Sequence, residues 1–170
     1  MRILVVSLTV FLNFILQSTL FKYFELFGVS PNTALIIIVS FAILRYDIEG
    51  AMVGFFSGLL QDIMFGKVIG LYALLGLVIG YFCGKPFKDF YSENYLLPLF
   101  LVVGSTLFFE ISVYITGFLF RSRLDLFYYL RRIILPSVCY NAFLTIPVYR
   151  LIYNINRFLT DRDRSRRNFF

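Results

Sequence analysis

The sequence predicts an all-α integral membrane protein, a compact bundle of about six transmembrane helices. Three observations carry this. The 170 residues are 59% hydrophobic and only 15% charged, and the mean hydropathy is +0.81. A soluble chain is closer to half apolar and a quarter charged, and a soluble domain of this size buries only about 70% of its surface. Apolar runs recur along the whole chain, separated by polar or turn-rich stretches. A spanning helix needs about 20 residues, so this length holds at most about six or seven spans and no sizeable soluble domain. An ordinary soluble enzyme, a disordered tail and a disulfide scaffold are excluded by composition.

The spans fall near residues 3–21, 32–44, 50–65, 70–83, 96–120 and 133–153. Together they form a single membrane domain, 1–153, followed by a basic tail, 154–170. The first span follows Met1-Arg2 directly. It is too long for a signal-peptide core and lacks a small-x-small cleavage site, so it reads as an uncleaved signal anchor. Spans two to four are short for a bilayer. They must borrow flanking residues, thin the membrane locally, or sit inside the bundle. Residues 66–69 alone separate spans three and four, which predicts a tight helical hairpin.

Orientation follows from Lys and Arg near the span ends. With six spans and a cytoplasmic N-terminus, ten cations lie inside, Arg45, Lys85 and Arg150 among them, and six lie outside. Without the segment from Arg150 onward the count is four against six. The tail therefore places both termini in the cytoplasm of a multi-pass protein. The stretch 121–132, RSRLDLFYYLRR, argues the other way unless it lies along the interface as an amphipathic segment.

Gly50, Gly54 and Gly58 form one G-x-x-x-G-x-x-x-G ladder, and Gly76, Gly80 and Gly84 form another. Four-residue spacing puts each set on one helix face, where a second backbone can approach closely. The ladders are mirror images about Lys67. The expected register therefore pairs Gly50 with Gly84, Gly54 with Gly80, and Gly58 with Gly76. Glycine is common in membrane helices in any case, and one ladder could instead face a partner protein's helix.

Charges inside spans are costly, so they face the bundle interior, pair, or mark function. Asp62 and Glu110 are the two clear cases, and both fall in the outer half. An internal salt bridge with Lys67, Arg121 or Arg123 is the favoured reading. Asn13 and Gln17 share a face of span one. Asn141 lies in span six between Pro136 and Pro147. Such amides serve as interhelical hydrogen-bond glue worth about 1 kcal/mol. The prolines remove backbone donors, so span six is expected to be kinked, bent or half re-entrant.

The tail carries Arg157, Arg162, Arg164, Arg166 and Arg167 with two Asp. It suits anchoring on an anionic inner leaflet, at roughly 1 kcal/mol per cation, or docking of a cytoplasmic partner. The net charge of +6 is explained by topology, with no nucleic-acid-binding module beside it. The chain has no His and no Trp, and Cys83 and Cys139 sit in apolar runs without CxxC spacing. No nucleophile–base constellation, metal-ligand set or cofactor motif is present, so no catalytic residue, metal or cofactor is expected.

The stretch 50–85, GAMVGFFSGLLQDIMFGKVIGLYALLGLVIGYFCGK, resembles the signature region of the rod shape-determining protein MreD family. The matching features are the glycine ladder leading into L-x-x-D, then G-L-Y-A-L and G-Y. Span six adds LPSVCYNAFLTIPVY, span one adds LQSTLF, and Pro31-Asn32 opens span two. The resemblance covers the chain end to end. It implies a non-enzymatic scaffold of the cell-elongation complex in a bacterial inner membrane. Its implied partners are the bitopic protein MreC and, through it, MreB filaments and the synthases of lateral-wall peptidoglycan. The positions it marks are Gly54, Gly58, Asp62, Gly70, Tyr72, Pro136 and Asn141. The family is similar in architecture to the substrate-binding subunits of energy-coupling-factor vitamin transporters, which makes a small-molecule carrier the alternative. Those subunits use small residues on span one, and residues 1–24 contain no Ala or Gly.

Overall fold

The computed structural model describes residues 2–19, 29–66, 69–85, 96–121 and 126–167. Its elements, in chain order, are α1 (Arg2–Thr19), α2 (Thr33–Arg45), α3 (Asp47–Phe65), α4 (Leu71–Gly84), α5 (Leu96–Arg121) and α6 (Leu126–Tyr129), then a π-helical turn (Leu130–Ile134) and α7 (Leu135–Arg167). Two helical stretches, Asp47–Phe65 and Leu96–Phe118, are long and apolar enough to cross a membrane. Ile3–Thr19, Thr33–Arg45 and Leu71–Gly84 are apolar but shorter.

The axis of the bundle is α2. All of its residues except Leu44 are buried, and it contacts α1, α3, α4, α5 and α7. Its 13 residues span only about 20 Å, short of a hydrocarbon core of about 30 Å. Protein surrounds it, so its length need not match the lipid. Its sequence, TALIIIVSFAILR, is apolar on every side, as a wholly enclosed helix requires. Ser40, its one interior polar residue, donates to the Ile36 carbonyl at 2.6 Å. The core around α2 takes Val10 from α1, Val53 from α3, Leu75 and Ile79 from α4, Val102 from α5, and Tyr149 and Ile152 from α7.

The outer helices turn bulky apolar side chains away from this core. Leu4, Leu8, Phe11 and Leu12 of α1, Phe56 and Ile63 of α3, Phe100 and Ile115 of α5, and Phe143 of α7 are all exposed. That inverted surface matches a lipid solvent.

The last helical run departs from expectation in three places. Much of the stretch 121–132 is an N-terminal extension of the final helix, since α6 passes through the π turn into α7. Leu135 N–H bonds back to the Leu130 carbonyl, five residues earlier. Pro136 follows at once. It has no N–H to offer, so the α-type ladder is interrupted where the π turn sits. Pro147, in contrast, lies inside a helix that continues through it, so the helix is not broken there. Beyond residue 153 the helix runs on to Arg167. The side chains of Arg162, Arg164, Arg166 and Arg167 lie outside the described residues. Cys139 is exposed rather than buried, while Cys83 is buried.

Candidate functional site: a glycine-packed hairpin and a five-helix polar network

The α3–α4 hairpin forms the most extensive helix pair in the bundle. Glycine permits it. A Cβ built on Gly54 would run into the Gly76 carbonyl, and one on Gly76 would run into the Gly54 carbonyl. Gly80 meets the Gly50 carbonyl in the same way, and Gly50 also lies against Ala42 of α2, 2.7 Å from a Cβ at that position. Backbone therefore touches backbone along this seam, which allows Cα–H···O contacts between the helices.

The register differs from the mirror pairing about Lys67. Gly50 lies opposite Gly80 and Gly54 opposite Gly76, while Gly58 meets Tyr72 and Ala73, and Gly84 meets Tyr46 and Asp47. The shift is one helical turn, and its cause is Asp62. The buried carboxylate accepts three backbone N–H groups, from Gly70 at 3.0 Å, Tyr72 at 3.0 Å and Ala73 at 2.9 Å. It satisfies orphan donors at the α4 N-terminus and draws that terminus against the last turn of α3. Gly70, at φ 98°, makes the turn into α4 that only glycine adopts without strain. Asp62 is thus a helix cap; its expected ion-pair partners, Lys67, Arg123 and the Arg121 side chain, lie outside the described residues.

One residue before Asp62, Gln61 enters a network that ties five helices together. Gln61 Nε2 donates to Asn32 Oδ1 at 2.9 Å and to Gln17 Oε1 at 3.2 Å. Gln17 Nε2 lies 3.5 Å from the same Asn32 oxygen. Asn32 N–H donates to Asn141 Oδ1 at 2.9 Å, and Asn141 Nδ2 donates to Thr106 Oγ1 at 3.1 Å. Asn32 also caps α2, accepting from Leu35 N–H at 3.4 Å. The amides of α1, α3 and α7, the cap of α2 and a hydroxyl of α5 therefore meet at one level. Asn13 shares the Gln17 face and is buried, but it makes no bond to this network.

Glu110 extends the polar zone sideways. It accepts from Ser137 Oγ of α7 at 3.2 Å and from Tyr129 OH at 3.4 Å. Like Asp62, it is met by neutral donors among the described residues. Tyr72 packs between Asp62 and Phe109, the chain neighbour of Glu110. Its N–H is held by Asp62, and its ring lies 5.2 Å from that of Phe109. Reading the sequence missed Asn32, Gln61, Thr106 and Ser137. Asn32 carried a signal, an Asn directly after Pro at the start of an apolar run, which is an N-cap pattern.

A second feature lies between α4 and α5. There Val78, Phe82, Phe100, Leu101 and Phe108 line an open apolar groove of about 380 Å3. Its polar content is the buried Cys83–Ser105 pair, 3.4 Å apart. Gly104 also lines it, and a Cβ there would have nothing within 4 Å.

The family model described as rod shape-determining protein MreD matches residues 1–159. The chain belongs to the MreD family. It is therefore a rod shape-determining membrane protein, and the glycine hairpin and the capping Asp62 lie inside the matched region of this MreD chain. No curated protein and no solved structure matches it. Among the described residues, no three His, Cys, Asp or Glu cluster where they could hold a metal ion.

Proposed function

We propose that this protein is a non-enzymatic scaffold of the bacterial cell-elongation complex. It crosses the inner membrane six times with both termini in the cytoplasm, and it seats the single transmembrane helix of an MreC-type partner. Through that partner it helps to organise MreB filaments and lateral-wall peptidoglycan synthesis. The basic end of α7 stays at the inner leaflet.

The observation that carries this reading is the contrast among the glycines. Gly50, Gly54, Gly58, Gly76, Gly80 and Gly84 each meet a neighbouring backbone that leaves no room for a side chain. Gly104 meets nothing, although an interior helix glycine costs roughly 1 kcal/mol relative to alanine. It lines the apolar α4–α5 groove. A glycine that internal packing does not require, in a groove open to lipid, suits close approach by a helix from outside. A carrier would need polar groups free to meet its ligand. Here Asn32, Gln61, Asp62, Glu110 and Asn141 are committed to other groups of the bundle.

Complementation of a depleted rod-shaped host tests the proposal. The wild-type chain should restore rods, and Gly104→Phe, which fills the groove, should leave cells rounded while the protein still accumulates in the membrane. Full rescue by Gly104→Phe would refute the groove. Normal rods under verified depletion would refute the scaffold role.

A further inference from the structure

The end of α2 opposite the polar network holds a buried cation with no counter-charge among the described residues. Arg45 is 6% exposed, and its Nε and Nη2 atoms are buried with no hydrogen-bond partner. A buried guanidinium is normally paired, because desolvating its charge costs several kcal/mol. Nε–H and one Nη2–H form a single edge of the guanidinium, two parallel donors matched to two oxygens of one carboxylate or phosphate. Asp47, two residues on, is engaged in the first turn of α3, where its Oδ1 accepts from Ile48 N–H at 3.1 Å.

A second orphan lies toward the same end of the bundle. Asn156 Oδ1 is also buried without a partner. The buried positions of α7 run Asn141, Thr145, Tyr149, Ile152 and Leu159, and Asn156 falls on that stripe. Asn32 N–H bonds to Asn141 at the start of α2, and Tyr149 and Ile152 share the core with α2. From that bond, Arg45 lies about 20 Å along α2 and Asn156 about 22 Å along α7. Two donors of one edge and one acceptor are therefore buried without partners toward one end of the bundle.

The depth identifies the ligand. The apolar run of α2 ends at Arg45, the exposed cations Lys85 and Arg157 gather toward the same end, and cations gather where a bundle meets the headgroup layer. We propose that Arg45 and Asn156 bind the headgroup of one anionic phospholipid. The phosphodiester oxygens accept from Arg45 Nε and Nη2, and a headgroup hydroxyl, as in phosphatidylglycerol, donates to Asn156 Oδ1.

The test is thermal unfolding of the purified full chain in a neutral detergent. It is titrated with phosphatidylglycerol, with phosphatidylcholine, which has the phosphodiester but no hydroxyl donor, or with inorganic phosphate. Phosphatidylglycerol at about 100-fold over its Kd should raise the Tm by on the order of 5 °C; phosphatidylcholine, which keeps the phosphodiester but lacks the donor to Asn156, should raise it by less than half as much, and inorganic phosphate should not raise it. Arg45→Gln should abolish the increment. Arg45→Lys, which keeps the charge and loses the two-donor edge, should retain less than half of it. Asn156→Leu should shrink the preference for phosphatidylglycerol over phosphatidic acid. Equal stabilisation by phosphatidylcholine, or an undiminished increment in Arg45→Lys, would overturn the site. Equal stabilisation by inorganic phosphate would overturn the lipid assignment in favour of a soluble anion. Asp89 and Glu93 lie outside the described residues. If Asp89→Asn with Glu93→Gln destabilised the chain as Arg45→Gln does, while phosphatidylglycerol added nothing to the wild type, an internal ion pair would replace the ligand.

Discussion

Replacing Gly54 by alanine adds one methyl group, and the structure sets its cost. The new Cβ would sit 2.5 Å from the Gly76 carbonyl carbon and closer still to its oxygen. Carbon contacts are comfortable at about 3.5–4.0 Å, so α3 and α4 must part by about 1 Å or more. The obstruction is backbone on both helices, and no side chain can rotate away. Overpacking of this kind costs about 1–3 kcal/mol, and the lost Cα–H···O contacts add about 0.5–1 kcal/mol each. The total is about 2–4 kcal/mol, or a Tm lower by about 5–10 °C for a chain of this size. Gly104→Ala is the matched control. It adds the same methyl group to a helix with nothing within 4 Å and should stabilise by about 0.5–1 kcal/mol through helix propensity. Thermal unfolding of the two variants in one detergent reads the difference. Equal Tm values for Gly54→Ala and wild type would refute the backbone-to-backbone seam.

Three further outcomes follow from the polar groups. Asp62→Asn puts an NH2 donor where only acceptors fit, so it should cost about 1–3 kcal/mol and speed amide exchange at Gly70, Tyr72 and Ala73 above the rest of α4. Asn141→Leu removes both the acceptor for Asn32 N–H and the donor to Thr106. It should cost about 1–2 kcal/mol, and a double-mutant cycle with Thr106→Val should show coupling of at least about 0.5 kcal/mol. Glu110→Gln keeps an acceptor for Ser137 and Tyr129 and should change stability by less than about 1 kcal/mol, whereas Glu110→Leu leaves both hydroxyls unpaired and should cost about 1–3 kcal/mol by thermal unfolding.

Element positions were legible because apolar runs mark them directly. Asn32 N-caps α2, and α3, α4 and α5 start and stop within a few residues of the runs. The hairpin was legible from the spacing of its glycines, but its register was not. Mirror symmetry assumes a symmetric connection, whereas a carboxylate capping the next helix moved the pairing by one turn. The acids were recognised as interior groups, but the neutral donors that meet them were not. Charge in a sequence suggests counter-charge, yet backbone N–H groups and hydroxyls satisfy a carboxylate equally and are not marked by residue type. The polar network escaped for a related reason. Gln17, Asn32, Gln61, Thr106 and Asn141 are far apart in the chain, and only packing around α2 brings them together. Gly104 was invisible for the opposite reason, since it belongs to no ladder and its environment is open space.

The central claim is that the α4–α5 groove receives a partner's membrane helix. Site-specific photo-crosslinking in cells tests it most directly, with a photoreactive residue at Gly104 and, as controls, at the exposed Phe143 and Ile63 on other faces. The account predicts a crosslink to the MreC-type protein from position 104 and none from the two controls. A crosslink from position 143 or 63 with none from 104 would contradict it.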